Sequence, residues 1–289
     1  MTGASFATLR SAFSLIEVMV VVALMSLIVL ALMAVFNSTQ RAFRSAVTQT
    51  DVLEGSRAAM DLISSDLRGL TPSAGVSNGA VNFSVLGNAS YNTGYQPLVQ
   101  NLPGSTVTRT NLLNYFFVLS RQNTKWLGVG YVVDNTNSSP LYPLYRFYGE
   151  TNSTANPLVL FNNFSTIVNS AQWTNLSHLV DGVVHLTLHA YDTNGTWINP
   201  ASLTYTNLPR DTLFFANAHG EPQLYMFSNT VPAAVELEIG VLEDRSLARA
   251  ESLPFNSTAQ LKYLKEQSGA VHVFRQRVNI PNVDTTAYP

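Results

Sequence analysis

The stretch that decides the architecture is Val18-Met19-Val20-Val21-Val22-Ala23-Leu24-Met25-Ser26-Leu27-Ile28-Val29-Leu30-Ala31-Leu32-Met33-Ala34-Val35-Phe36, in which only Ser26 is polar. As a helix rising ~1.5 Å per residue it reaches about 30 Å, the thickness of a bilayer core. A cleaved secretory signal has only ~7–15 apolar residues before a small-residue cleavage site. This run is longer, and Asn37-Ser38-Thr39-Gln40-Arg41 follows it. A plain single-span anchor fits the length but leaves Glu17 unexplained. That carboxylate stands at the apolar boundary, directly after Phe13-Ser14-Leu15-Ile16. A charge there is costly unless paired, and such residues are commonly functional.

Around this segment the composition narrows the choices. The chain has 289 residues, and charged side chains make up 12% of it, about half the usual share of roughly 25%. One or two domains are expected at roughly 150 residues each. The formal net charge of −2 excludes a nucleic-acid binder working through bulk charge, so no nucleic-acid partner is expected. Hydrophobic residues at 46% supply enough material for a core. Cysteine is absent, which removes disulfides, thiolate metal sites and a thiol nucleophile without fixing the redox compartment.

The helix is predicted to continue beyond Phe36. No proline occurs between Asn37 and Arg68, and Phe43, Val47, Leu53, Met60, Ile63 and Leu67 recur at helical spacings. Asp51, Glu54, Arg57, Asp61 and Asp66 are expected largely off that stripe, with Gly55 as a place for a bend. Gly69, Thr71-Pro72 and Gly75 should end the helix. Its first half would lie in membrane and its second half against a sheet.

After Pro72 the period changes to that of strands. Asn114–Arg121, Leu127–Val133, Leu144–Tyr148, Val183–Tyr191, Ala234–Leu242 and Val271–Ile280 are the candidates. Asn123-Thr124-Lys125 suits a hairpin turn, and Asp134 to Pro140 a loop. Residues 257–267 read as a short helix capped by Ser257 or Thr258, with Gly269 just past its end. Residues 73–111 and 150–180 read as loop-rich. The fold class is α+β: a long N-terminal helix packed on an antiparallel sheet.

Catalysis needs a constellation of groups, and the sequence offers none, so the protein is not expected to be an enzyme. His185 and His189 would share one strand face at ~13 Å, too far apart to chelate one ion. They read as polar positions on a sheet, and no metal site is assigned. Gly128-Val129-Gly130 lacks the third glycine of a dinucleotide loop. Asp192-Thr193-Asn194-Gly195 reads as a hairpin turn with Asn-Gly supplying positive φ. Asp134, Asp181 and Asp192 are conceivable oxygen ligands for calcium, although no EF-hand pattern is present. No other cofactor is implied.

Ser11-Ala12-Phe13-Ser14-Leu15-Ile16-Glu17-Val18-Met19-Val20 resembles the processing site of type IV pilin-like proteins. The resemblance implies that prepilin peptidase cuts between Ala12 and Phe13, that the new Phe13 amine is methylated, and that Glu17 is the acid at the fifth mature position. Where the family has Gly before the cut, this chain has Ala12. Further on, the hairpin ending in Leu141-Tyr142-Pro143-Leu144-Tyr145-Arg146 is similar to paired strands of J-type minor pseudopilins of type II secretion and of W-type minor pilins. Leu179-Val180-Asp181-Gly182-Val183, the Tyr191-Asp192 stretch ending at Trp197, and Val231-Pro232-Ala233-Ala234-Val235 follow in the same order. Asp244–Ala250 and Phe274–Val278 also resemble the pilin-like cassette proteins of Verrucomicrobia.

The resemblance implies four segments: a leader over 1–12, a transmembrane and filament-core half-helix over 13–36, an amphipathic half-helix over 37–69, and an exported β-rich domain over 70–289. The implied fold is pilin-like. The implied function is that of a minor structural subunit of a type II secretion or type IV pilus filament. Its partners would be other pilin-like subunits, prepilin peptidase and the inner-membrane assembly platform. It would be single-pass in the inner membrane, with its bulk in the periplasm. Charge counting opposes that orientation weakly, with Arg10 before the span and Arg41 and Arg44 after it. In the family, Glu17 would pair with a neighbour's N-terminal amine and set axial register. The alternative is a membrane-anchored or pilus-tip binding domain for adhesion or DNA uptake.

Overall fold

The computed structural model describes residues 14–73, 80–88, 97–136, 139–199, 208–216 and 222–288, without the side chains of 41–42, 44–53, 216 and 222. The chain divides into two units, Met1–Thr48 and Gln49–Pro289. Helix α1, Leu15–Arg68, begins in the first and ends in the second.

Over residues 18–36 α1 is apolar on every side rather than along one stripe. Leu15–Gln40 has a mean hydropathy of 3.1 over its most apolar window, and that window is 0% buried. Its hydroxyls bond within the helix: Ser26 Oγ donates to the Val22 carbonyl at 2.8 Å and Thr39 Oγ1 to Val35 at 2.9 Å. Phe43, expected on the core stripe, is 70% exposed. The side chains of Val47 and Leu53 lie outside the described residues.

In the second unit the last turns of α1 bury Ser56, Ala59, Met60, Ile63, Ser64 and Leu67, the i, i+3, i+4 rhythm of one helical face. Burying Ile63 and Leu67 contributes ~1.5–3 kcal/mol each. The helix stops at Arg68, where the Gly69 amide donates to the Ser65 and Asp66 carbonyls.

This face meets a seven-stranded antiparallel sheet. Its strands in chain order are β1 (Val81–Gly87), β4 (Asn114–Gln122), β5 (Lys125–Val133), β6 (Leu144–Asn152), β7 (Ser177–Val180), β9 (Thr212–Ala216) and β10 (Pro222–Phe227). Their spatial order is β7-β6-β5-β4-β1-β10-β9. A second, three-stranded sheet is ordered β12-β11-β8, from Val271–Asn279, Ala234–Leu242 and Val183–Tyr191. The hairpin β2 (Leu98–Asn101) and β3 (Thr108–Asn111) completes the strands. One core joins α1 to both larger sheets through Ile63, Leu67, Phe116, Tyr131, Leu186 and Ile239.

The opposite face of the large sheet is covered by α2, Leu158–Asn169, through Leu160, Phe164 and Val168. The helix fits because β5 carries Gly128 and Gly130 beneath it. A Cβ on Gly130 would stand 2.5 Å from the Phe164 ring. Those two glycines therefore serve helix–sheet packing. A third cluster lies under α3 (Asp244–Glu251) and α4 (Thr258–Glu266), around Leu247, Ala250 and Leu264.

β8 and β11 keep their predicted bounds, and β4, β5, β6 and β12 lie within a few residues of theirs. The Asn123-Thr124 turn is present, with Gln122 paired to Lys125 and Asn123 at φ 52. α4 is capped by Ser257, whose Oγ accepts from the Gln260 amide at 3.2 Å. The two stretches read as loop-rich are not so: they hold β1, β2, β3, α2 and β7. The 192–195 turn differs in detail from its reading. Positive φ falls on Gly195 alone, and the Asp192 carboxylate accepts from the Asn194 and Thr196 amides at 2.9 and 2.7 Å. It is a three-residue loop closed by a left-handed glycine, not a two-residue Asn-Gly turn.

Candidate functional site

The N-terminus of α1 is built from Ser14 and Glu17. Ser14 Oγ accepts from the Glu17 amide at 3.3 Å, half of the Ser-x-x-Glu capping arrangement. The Glu17 carboxylate has no partner among the described residues and stands in the first turn, where the helix dipole favours an anion. Ala12 and Phe13, the expected cleavage and methylation positions, lie outside the described residues. What this end offers chemically is an exposed carboxylate bordering an exposed apolar helix, open to a positive partner.

A second polar cluster fixes the other end of α1. Asp66 pairs with Arg146 of β6 in bidentate fashion, Nε to Oδ2 at 2.9 Å and Nη2 to Oδ1 at 3.1 Å. The Tyr131 hydroxyl of β5 donates to the same carboxylate. Tyr131 and Arg146 are directly opposite in the β5–β6 register, so both reach the helix-facing side. Burial, with the Asp66 charge beside it, raises the Tyr131 phenol far above its ordinary range. Asp66 thus turns into the sheet, a correction to its expected place off the stripe. The sequence did hold the signal: Asp66 follows Ile63 by three positions and so shares its face.

One face of the small sheet carries His185, which is buried, and His189, which is half-buried. Glu236 lies opposite His189 and Arg277, and Glu238 opposite Thr187 and Arg275. Burial raises the Glu236 carboxyl, but Arg275 and His189 outweigh it and hold that group below its usual value. His185 Nδ1 accepts from the Leu112 amide at 3.1 Å, which places its proton on Nε2. Burial foremost, then the Arg109 charge, depresses its pKa to about 4, although Glu238 lies 3.6 Å from Nε2. His185 is therefore a neutral donor, and its Nε2 cannot serve as a base toward Thr187 at 3.3 Å. His189 packs edge-on to Trp197 with centroids 4.5 Å apart. This is a cross-strand ladder of charges, consistent with polar positions on one sheet face.

The conceivable calcium ligands are not gathered. Asp134 is buried and accepts from the Thr136 amide and hydroxyl at 2.8 and 2.6 Å, with burial raising its pKa. Asp181 pairs with His178 at 2.7 Å, and Asp192 is engaged in its own turn. Among the described residues, no three His, Asp or Glu side chains converge where an ion could be held.

Among the described residues one helical span, Leu15–Gln40 of α1, is long and apolar enough to cross a membrane. No family model, curated protein or solved structure matches this chain.

Proposed function

We propose that the chain is a minor pilin-like structural subunit, processed at Ala12–Phe13 and assembled into a type II secretion or type IV pilus filament through α1. The observation that carries this reading is the dual character of α1. Its first part exposes apolar side chains all round, and its last turns are a core element of an antiparallel β-rich unit. A membrane anchor alone has no need to continue as a core helix. A filament subunit does, because the helix that leaves lipid to pack on its neighbours must carry its own domain with it. In this reading Glu17 meets the methylated Phe13 amine of a neighbouring subunit, exchanging an uncompensated carboxylate for an ion pair in a medium of low dielectric.

N-terminal sequencing and intact mass of the protein from its native membranes test the proposal. A chain starting at Phe13 with one added methyl group is expected. A start at Met1 returns the plain anchor, and a start well beyond Phe36 means a cleaved secretory signal. The second reading, a membrane-anchored or pilus-tip binding domain, draws on edge strand β9, where Leu213 and Phe215 are 56% and 46% exposed. Co-purification with other pilin-like subunits would favour the first reading over it.

A further inference from the structure

A cavity of about 830 Å³ opens between β2, β8 and α4, within the size range of small-molecule sites, ~300–1,000 Å³. Its walls are apolar where Leu98, Leu113, Val184 and Leu261 line it, and its ionic side chains are Lys262 and Lys265. Among the described residues no carboxylate lines it, in a chain that carries more acids than bases. Neither lysine forms an ion pair with a described residue. They stand three apart on α4, so both lie on one side of that helix.

The walls are tied together by hydrogen bonds from three side-chain amides. Gln260 is buried; its Nε2 donates to the Ala250 carbonyl at 3.0 Å and its Oε1 accepts from the Asn256 amide at 2.8 Å. Gln100 Nε2 donates to the Leu264 carbonyl at 2.9 Å, tying β2 to α4. Asn111 Nδ2 donates to Gln100 Oε1 at 2.9 Å and to the Leu98 carbonyl at 3.1 Å. These bonds fix the walls, so the ordering cost of occupation falls mainly on the exposed Lys262 and Lys265 side chains.

We infer that this cavity binds one organic carboxylate with an apolar body, the body against Leu98, Leu113 and Val184 and the carboxylate on Lys262 and Lys265. Charge complementarity carries the choice. Two ammonium groups with no ion-pair partner among the described residues, at a cleft of mixed apolar and uncharged polar lining, favour an anion over a neutral or cationic ligand of the same shape.

The test is calorimetric titration of the full chain in phosphatidylcholine nanodiscs, with empty nanodiscs as blank. The probes are naphthalene-2-carboxylate and its neutral counterpart naphthalene-2-methanol. One saturable site per chain is expected for the carboxylate, with at least tenfold weaker binding of the alcohol. The Lys262→Gln/Lys265→Gln variant should weaken carboxylate binding at least tenfold and leave Tm unchanged, since both side chains are exposed on α4. Absence of saturable carboxylate binding overturns the site. Equal affinity for the two probes overturns the anion assignment, and does so on the unmodified protein even if the double variant fails to fold.

Discussion

Asp66 occupies the last turn of α1, where the negative end of the helix dipole opposes a carboxylate. Arg146 offsets that cost with two hydrogen bonds in a setting where the two side chains are only 16% and 19% exposed. Removing one partner leaves the other partly buried and uncompensated. Asp66→Asn should therefore lower stability by about 2–4 kcal/mol, read by urea unfolding, while Asp66→Leu with Arg146→Met should restore most of it. A double variant no better than the single would show that the pair does more than cancel its own desolvation. His185 makes a pH prediction of defined sign. Its folded pKa of about 4 lies below the ordinary 6.5, so between those values the unfolded chain takes up the proton first. Stability present above pH 6.5 should fall by about 2–3 kcal/mol as pH drops toward 4 and level off below. His185→Gln keeps an acceptor for the Leu112 amide, and in urea melts across that range it should remove most of this slope.

At the level of elements, α2 depends on what the strand beneath it lacks. Gly130→Ala should cost about 1–3 kcal/mol through its clash with the Phe164 ring. Phe164→Leu in that background should cost less than in the wild type, a coupling that a double-mutant cycle in urea measures. The same helix explains a limit of the sequence. Leu158-Val159-Leu160-Phe161-Asn162-Asn163-Phe164-Ser165-Thr166-Ile167-Val168-Asn169 has no charge, several β-branched residues and no side-chain cap, so propensity argues against a helix. Only the spacing of Leu160, Phe164 and Val168 announced it. β1 was hidden for another reason: every residue of Val81–Gly87 is buried, so no polar alternation marks it. β4, β8 and β11 were legible because β-branched and aromatic runs end in clear turn residues. Of the candidate site, the position of Glu17 at the start of the apolar helix was legible from its place beside the apolar run. The Asp66–Tyr131–Arg146 cluster was not, because its three members are far apart in the chain and only strand register brings two of them together.

For the whole molecule, the decisive question is what Glu17 does beyond starting a helix. A Gln at this position can serve an N-terminal cap as Glu does, yet it cannot neutralise an amine. If the chain is the filament subunit proposed above, Glu17→Gln should leave membrane insertion and far-UV circular dichroism unchanged while abolishing co-purification with partner subunits. Normal assembly of that variant would remove the register role and leave Glu17 as an acid favoured only by the helix dipole.

The helix face that closes the core is also bonded to the far end of the chain. Ser64 Oγ donates to Gln276 Oε1 at 2.9 Å, and Asn282 Nδ2 donates to the Leu70 carbonyl at 3.0 Å, each across 212 residues of sequence. At ~5–20 residues per second of synthesis, roughly 10–40 s separate the emergence of that face from the emergence of its last partners. Ile63 and Leu67 have Phe116 and Tyr131 as core partners early in that interval, but Ser64 and the Leu70 carbonyl wait for Gln276 and Asn282. Until Val271–Asn279 is made, that face lacks part of its cover, so the time between synthesis of the helix and of the last strand is when the chain is most open to association with its neighbours.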